Sequence, residues 1–246
     1  MILYPIGRTE GSLFAAQLLK KQGLSITDHP MPEITHVLLD VPSFDGSGKL
    51  RGGGCLCEVL ERLPPTVTVV GGNLDHPDLL GCRKWDLMRD ETYVAGNAAI
   101  TADCAVRLAG EKLKAIFRDS PALILGWGRI GKCLAQLLAG LGCPVTVAAR
   151  RESDRAILSA LGIRALDYRE LPAALDRYSL IFNTVPEMVL KAEPPETCVC
   201  IDLASRRGIP GDSVIWARGL PGVHAPRSSG KLIAERILYY LKEEQQ

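Results

Sequence analysis

The 246-residue sequence lacks a dominant charge: 29 lysines and arginines against 28 aspartates and glutamates leave a formal net charge of +1. No basic block or arginine-rich helix supplies an electrostatic footprint for nucleic acid, so the expected partner is a small polar metabolite. Also missing is any apolar run approaching the ~20 residues that span a bilayer. The opening MILYPIGRTEG turns polar too early for a signal peptide. The expectation is a soluble, cytoplasmic protein with no membrane partner. C-x-x-C is absent as well. The cysteines include two C-x-C pairs, Cys55 with Cys57 and Cys198 with Cys200, which lack the geometry of zinc ribbons and thioredoxin-like sites. Without an export signal all eight cysteines are expected to stay reduced and to pack as small hydrophobes. His29, His36, His76 and His224 form no ligand pattern, and no metal is expected.

What is present is concentrated between Pro121 and Arg151, PALILGWGRIGKCLAQLLAGLGCPVTVAARR. Leu123 to Leu125 read as a short buried strand, and Gly126, Gly128 and Gly131 follow at the spacing G-x-G-x-x-G. The first glycine makes a tight turn, the second lets the backbone approach a pyrophosphate, and the third lets helix and strand pack closely. Trp127, Arg129 and Ile130 complete the loop, and the pyrophosphate would sit on the unpaired N–H groups of the helix that starts near Arg129. Leu134, Leu137, Leu138 and Leu141 recur at helical spacing, Gly142 ends the helix, and Val145 to Ala148 supplies the second strand. Where a carboxylate would accept hydrogen bonds from the adenosine ribose of NAD, the chain reads Arg150 and Arg151. Guanidinium groups pair with phosphate, so NADP is favoured, with NAD as the alternative. Ser153 either adds a phosphate hydrogen bond or caps the next helix.

Before residue 97 a separate alternation appears: Ile2 to Ile6, a helix near Gly11 to Lys21, Leu24 to Thr27, His36 to Asp40, a glycine-rich segment, a helix near Cys55 to Leu63, and Thr66 to Val70. The predicted fold class is α/β with two Rossmann-like domains, the C-terminal one a doubly wound parallel sheet binding a dinucleotide. The expected division is a smaller substrate-side domain over 1–96, a linker helix over 97–118, the dinucleotide-binding domain over 119–228, and a C-terminal helix over 229–246 packing back at the domain junction. Ligands of open α/β sheets bind at the carboxyl ends of the strands. In the second half those ends carry Asn183-Thr184-Val185-Pro186, then Ala204-Ser205-Arg206 after a strand holding Asp202, then Gly219 to Gly222.

Four ordered segments, GWGRIGKCLAQLLAGLG with the VAAR strand end, NTVPEMVL, IDLASRRG and GLPGVHAPRSSGKLIAERIL, resemble the dipicolinate synthase family, specifically its nucleotide-binding A chain type. The resemblance is continuous over the C-terminal half and extends into the N-terminal half through Ile6-Gly7-Arg8 and through Asn97, Thr101 and Asp103. It implies an NAD(P)-binding protein built like the two-domain hydroxyacid and alanine dehydrogenases. The implied reaction gives pyridine-2,6-dicarboxylate from a cyclic dicarboxylate precursor during sporulation. The implied partner is a flavoprotein-like B subunit, and a homodimer is the possible assembly. The sequence departs from the family in a shortened N-terminal half, in Ile100 and Asp103 where a proline and a glutamate are usual, and in His224 where an apolar residue is usual.

In a cleft of that kind Asn183 and Thr184 would lie beside the nicotinamide ribose, with Val185 and Pro186 continuing the cofactor wall. Ala204 and Ser205 would lie near the nicotinamide ring, and Gly219 and Pro221 would let the backbone come close. Carboxylates taken from water need cations or clustered N–H donors. Arg8, Arg206 and Arg227 are the candidates, Ser43 and Ser47 with the glycine N–H groups after Phe44 form a possible carboxylate nest, and Thr101 joins them through the resemblance. Two groups compete as acid/base: Asp103, whose bland role is a capping carboxylate, and His224, whose bland role is a surface or capping histidine. A 2-hydroxy- or amino-acid dehydrogenase and a non-catalytic NADP(H)-binding scaffold or sensor remain as alternative functions.

Overall fold

The computed structural model describes residues 1–244. In chain order it contains β1 (Ile2–Pro5), α1 (Glu10–Lys21), β2 (Ser25–Ile26), β3 (His36–Leu38), α2 (Leu56–Leu60), β4 (Thr68–Gly71), β5 (Arg83–Asp86) and α3 (Glu91–Lys112). There follow β6 (Ala122–Leu125), α4 (Arg129–Gly140), β7 (Val145–Ala148), α5 (Glu152–Ala160), β8 (Arg164–Leu166), β9 (Leu180–Asn183), β10 (Val199–Asp202), β11 (Ile215–Trp216), α6 (Leu220–His224) and α7 (Pro226–Glu243). The chain divides into two compact units, one formed by residues 1–97 together with the segment from Pro221 onward, the other by residues 98–220. Among the described residues no helix is long and apolar enough to cross a membrane.

The first unit is built on a parallel sheet of order β2-β1-β3-β4-β5. Alternate residues of its central strands go to opposite faces. Leu38 and Val70 join Ala15 and Leu19 of α1 and Ile233, Ala234 and Ile237 of α7 in one core. Val37 and Val69 join Leu56 of α2, Leu74 and Leu79 in the other. Burial on both faces is why these strands read as continuous apolar runs. Helices α1 and α7 meet backbone to backbone: a Cβ on Gly230 would collide with the Gly11 carbonyl oxygen and stand 3.0 Å from the Ala15 nitrogen. The C-terminal helix therefore belongs to the first unit. It begins at Pro226 rather than residue 229, proline being well suited to the first helical position. It is tied down where Arg236 Nε and Tyr240 Oη donate to Asp90 at 2.6 and 2.7 Å.

The same Asp90 accepts from the N–H groups of Thr92 and Tyr93, and this cap starts α3 at Glu91, ahead of the linker-helix start at 97 expected from the sequence. Cys55 and Cys57, expected as separate thiols, are joined as a disulfide: the i, i+2 spacing puts their Cα atoms 5.5 Å apart, within bridging range. The other six cysteines are free, with Cys104, Cys143, Cys198 and Cys200 buried as small hydrophobes.

The second unit is a six-stranded parallel sheet of order β11-β10-β9-β6-β7-β8. Read from the other edge this is 3-2-1-4-5-6, the doubly wound order whose direction reverses beside its first strand, β6. Leu123, Leu125 and Ile181 face a core shared with Leu171, Leu175 and Leu190. The connection from β8 to β9 consists of two 3-10 turns, 168–173 and 175–177, because Pro172 removes a backbone donor where an α-helix would need it. Leu134 and Leu138 of α4 are buried, whereas Leu137 and Leu141 from the same sequence pattern are exposed.

Candidate functional site

The glycine loop lies at the reversal of strand order. After β6 the chain turns at Gly126 with φ +105°, a left-handed conformation in which a side chain is strained. A Cβ there would also stand 2.6 Å from Thr184 Oγ1. A Cβ on Gly131 would collide with the carbonyl oxygen of Gly126. These two glycines are required by packing alone. Gly128 differs: its backbone is ordinary, φ −83°, and a Cβ built on it meets nothing within 4 Å. It is the N-cap of α4 and has no side chain to cap the helix, so the first turn of a 12-residue helix presents N–H groups and a positive dipole end past an open face.

That face borders a cavity of about 560 Å³ lined by residues 126–128, 149–151, Asp154, Tyr168 and 185–189. Of the residues expected from the sequence, Gly126, Trp127, Gly128, Arg150, Arg151, Val185 and Pro186 line it together. Arg129 is exposed and Ile130 half-buried in the first turn of α4. Arg150 is largely exposed, with Nη1 3.9 Å from Glu187 Oε2. Arg151 is the exposed N-cap of α5. The next arginine along is already committed: Arg155 Nη1 donates to the carbonyls of Ala149 and Arg150 at 2.7 and 2.8 Å and lies 3.1 Å from Asp167 Oδ2. Asp167 is held well below the usual carboxylate range, chiefly by the hydrogen bond from the Arg169 side chain, with Arg155 contributing charge. Burial raises the Tyr168 hydroxyl to about 12, so this wall of the cavity is a neutral phenol at physiological pH.

Several polar strand ends expected as ligand contacts are internal scaffolding. Asn183 is fully buried; its Nδ2 donates to Val185 O and Asp202 Oδ1, and its Oδ1 accepts from the Val185 N–H. It shapes the loop that follows and does not face a ribose. Thr184 donates its hydroxyl to Leu125 O at 2.9 Å, bracing β6. Ala204 is buried and its carbonyl accepts from Trp216 Nε1, while Ser205 and Arg206 are exposed beyond it. The organiser of this region is Asp202, fully buried, which accepts from Asn183 Nδ2 and from the N–H groups of Ala204, Gly208 and Ile209. Its signal in the sequence is an acidic residue at the end of an otherwise apolar strand. Gly219, with φ +68°, is exposed and Pro221 is buried.

The substrate-side candidates divide between the units. In the first, the Ser43 hydroxyl is buried, donating to Asp40 O and accepting from the Gly72 N–H. Ser47 uses both its N–H and its hydroxyl on Asp45 Oδ1. Both serines are closed into turns, so the expected carboxylate nest is not formed. Arg8 is exposed, with its stem over Gly52. Arg227 lies with α1, its guanidinium 5.9 Å from the centre of the Phe14 ring. His224 is the exposed last residue of α6. In the second unit Thr101 is buried on α3, and Asp103 is an exposed carboxylate paired with Arg107 at 3.3 Å one helical turn away. That pairing is the ordinary surface role for such a residue. Tyr168, Glu187, Met188 and Val189 line the cavity without having been expected there; Tyr168 follows β8, an edge strand whose apolar pattern is too weak to mark it.

Two α/β sheets, the second in doubly wound order with a glycine loop at its reversal, define the class as NAD(P)-dependent oxidoreductase-like. No protein-family model matches the chain. It is 27% identical over 246 residues to the dipicolinate synthase A chain of Bacillus subtilis (strain 168), a match covering 90% of this chain and 82% of that one. The crystal structure of the corresponding dipicolinate synthase chain from Bacillus halodurans shares the fold with a TM-score of 0.83 at 20% identity, covering 98% of this chain and 97% of that one. A transhydrogenase from Sinorhizobium meliloti shares it at a TM-score of 0.68 and 12% identity, covering 99% and 94%. Within the class, the chain belongs to the family of the dipicolinate synthase A chains.

Proposed function

We propose that the second unit binds a nicotinamide dinucleotide at the Gly126–Gly131 loop, NADP in preference to NAD, and that the protein is an oxidoreductase acting on a small cyclic dicarboxylate. The observation that carries this reading is the open face of Gly128 at the uncapped start of α4, beside two glycines that packing alone explains. Residues 126–131 would hold the pyrophosphate, Arg150 and Arg151 the 2′-phosphate, and Tyr168 with Val185 and Val189 the apolar wall beside the adenosine. Bound there, the cofactor supplies hydride transfer. Oxidation of a dihydropyridine dicarboxylate to the aromatic ring removes one hydride and one proton, so the protein must also place a proton acceptor. Asp103 is committed to Arg107, which leaves the exposed His224 as the candidate with an imidazole suited to that role. Arg206, exposed beyond β10, is the candidate for a substrate carboxylate. The name of the subtilis relative motivates both the substrate and a flavoprotein-like B partner for this chain.

Calorimetric titration of the full chain with NADPH and NADH, repeated on Gly128→Val, tests the reading. The variant's side chain enters open space, so its stability should stay within about 1 kcal/mol of wild type, the scale of an N-cap preference. Expected is NADPH-selective binding that the variant loses while it still unfolds cooperatively. No binding of either nucleotide to the wild type, or equal binding by the variant, overturns the site. NADPH formation from the cyclic dicarboxylate, and none from simple 2-hydroxy acids, tests the substrate.

A further inference from the structure

Arg150 and Arg151 do not face the cavity alone. Two carboxylates, Asp154 and Glu187, line it with them, so the local charge is balanced where a dianionic phosphate would have to enter. The two acids are not equivalent. Asp154 lies on α5, whereas Glu187 comes from the loop after β9 and reaches to 3.9 Å from Arg150 Nη1. The backbone of Arg150 is fixed, because Arg155 holds its carbonyl oxygen and that of Ala149 and is itself held by Asp167. Only the Arg150 side chain is free to choose between partners. The Glu187 loop is anchored too: a Cβ on Gly208 would collide with the carbonyl oxygen of Glu187, and the loop's start is pinned by Asn183.

We propose that Glu187 is a specificity-determining residue, a built-in competitor for Arg150 that weakens binding of nucleotides carrying a 2′-phosphate and leaves those with a free ribose unaffected. This rests on the cofactor site assigned above. Arg150 leans on Glu187; a 2′-phosphate must displace that carboxylate and then tolerate its repulsion. The pair is solvent-exposed, with side chains 78% and 70% accessible, so the effect is moderate and sensitive to salt.

The experiment uses 2′,5′-ADP and 5′-ADP as probes, titrated into the full-length wild type, Glu187→Gln and Glu196→Gln. Glu196 is an exposed acid of the same loop outside the cavity lining, so its variant reports the effect of net charge alone. Expected is a gain in affinity for 2′,5′-ADP of roughly two- to fivefold in Glu187→Gln, shrinking at high salt, with 5′-ADP unchanged and Glu196→Gln like wild type. If both probes bind and their ratio is the same in Glu187→Gln and wild type, or if Glu196→Gln gives an equal gain, the assignment of Glu187 is overturned while the cofactor site stands. If neither probe binds the wild type, the cofactor site itself falls, and this inference with it.

Discussion

Each unit begins its first crossover in the same way, with a strand, a glycine turn and a helix, yet the two helix N-termini are treated oppositely. In the first unit the turn after β1 is closed by the protein's own anion. Asp40, which follows β3 and is 2% exposed, accepts from the N–H groups of Arg8 and Thr9 and from the Thr9 hydroxyl, while Thr9 caps α1 through the Ser12 N–H. A Cβ on Gly7 would stand 2.7 Å from Asp40 Oδ1, so this glycine makes room for an internal carboxylate. In the second unit α4 has no side-chain cap, and Gly128 faces open space. One architecture thus yields a satisfied structural turn and an open anion cradle. The difference is whether a neighbouring strand end supplies the negative charge.

The strongest way to break the comparison is to remove the internal anion. Asp40→Ala leaves several buried donors without an acceptor, each worth roughly 1–3 kcal/mol, and should cost about 4 kcal/mol in urea unfolding. A loss below about 1 kcal/mol would mean that the α1 turn does not depend on its carboxylate. Within the second unit, Gly131→Ala sets a methyl against the Gly126 carbonyl oxygen and should cost about 3 kcal/mol, the upper range for overpacking. Gly128→Val should leave the fold near wild type and abolish nucleotide binding. Equal destabilisation by the two substitutions would erase the distinction between packing glycines and the ligand-facing one.

Acid separates the units by another route. His36, buried in the middle strand of the first sheet, has Nε2 without a hydrogen-bond partner, and burial lowers its imidazole from 6.5 to about 4, with the N-terminal amine and Arg83 adding to the effect. The folded state therefore holds the neutral ring while the unfolded chain takes up a proton. Stability is full above pH 6.5, falls as pH drops from there to about 4, and levels off below. The window amounts to about 3 kcal/mol at 1.36 kcal/mol per pH unit. Trp85, whose ring centre is 4.7 Å from that of His36, reports it by fluorescence. His36→Phe should flatten the profile between pH 6.5 and 4; an unchanged slope would place the acid sensitivity elsewhere.

The parts legible in the sequence are those where one residue type has one physical use. The strand-glycine-helix-strand unit from β6 to β7 stands close to where periodicity and the three glycines put it, because apolar alternation and absent side chains are local signals. The edge strands β5 and β8 are hidden from such signals: Arg83 and Arg164 are exposed in them, and a half-exposed edge carries little apolar pattern. Asn183, Ser43 and Ser47 mislead because sequence shows that a strand end or loop is polar but not whether the side chain turns inward. Asn183 bonds to Asp202, 19 positions away, a partner no local pattern names. The loop bearing Glu187 is visible only as a polar strand end, since its place on the cavity depends on Gly208 packing beneath it.

The finest test of the open cradle concerns which phosphate it reads. Arg150→Asp removes one charge-assisted contact and adds a second carboxylate beside Glu187, so NADPH should weaken by about 2 kcal/mol, roughly thirtyfold. Two features hold the effect to that scale. Arg150 is 78% exposed, where water and salt screen its charge, and Arg151 remains on the same cavity wall. NADH, which has no 2′-phosphate, should bind the variant as it binds the wild type. A parallel loss of both nucleotides would mean that Arg150 shapes the end of β7 rather than reading the phosphate. Its backbone, already clamped by Arg155 and Asp167, argues for the side-chain role.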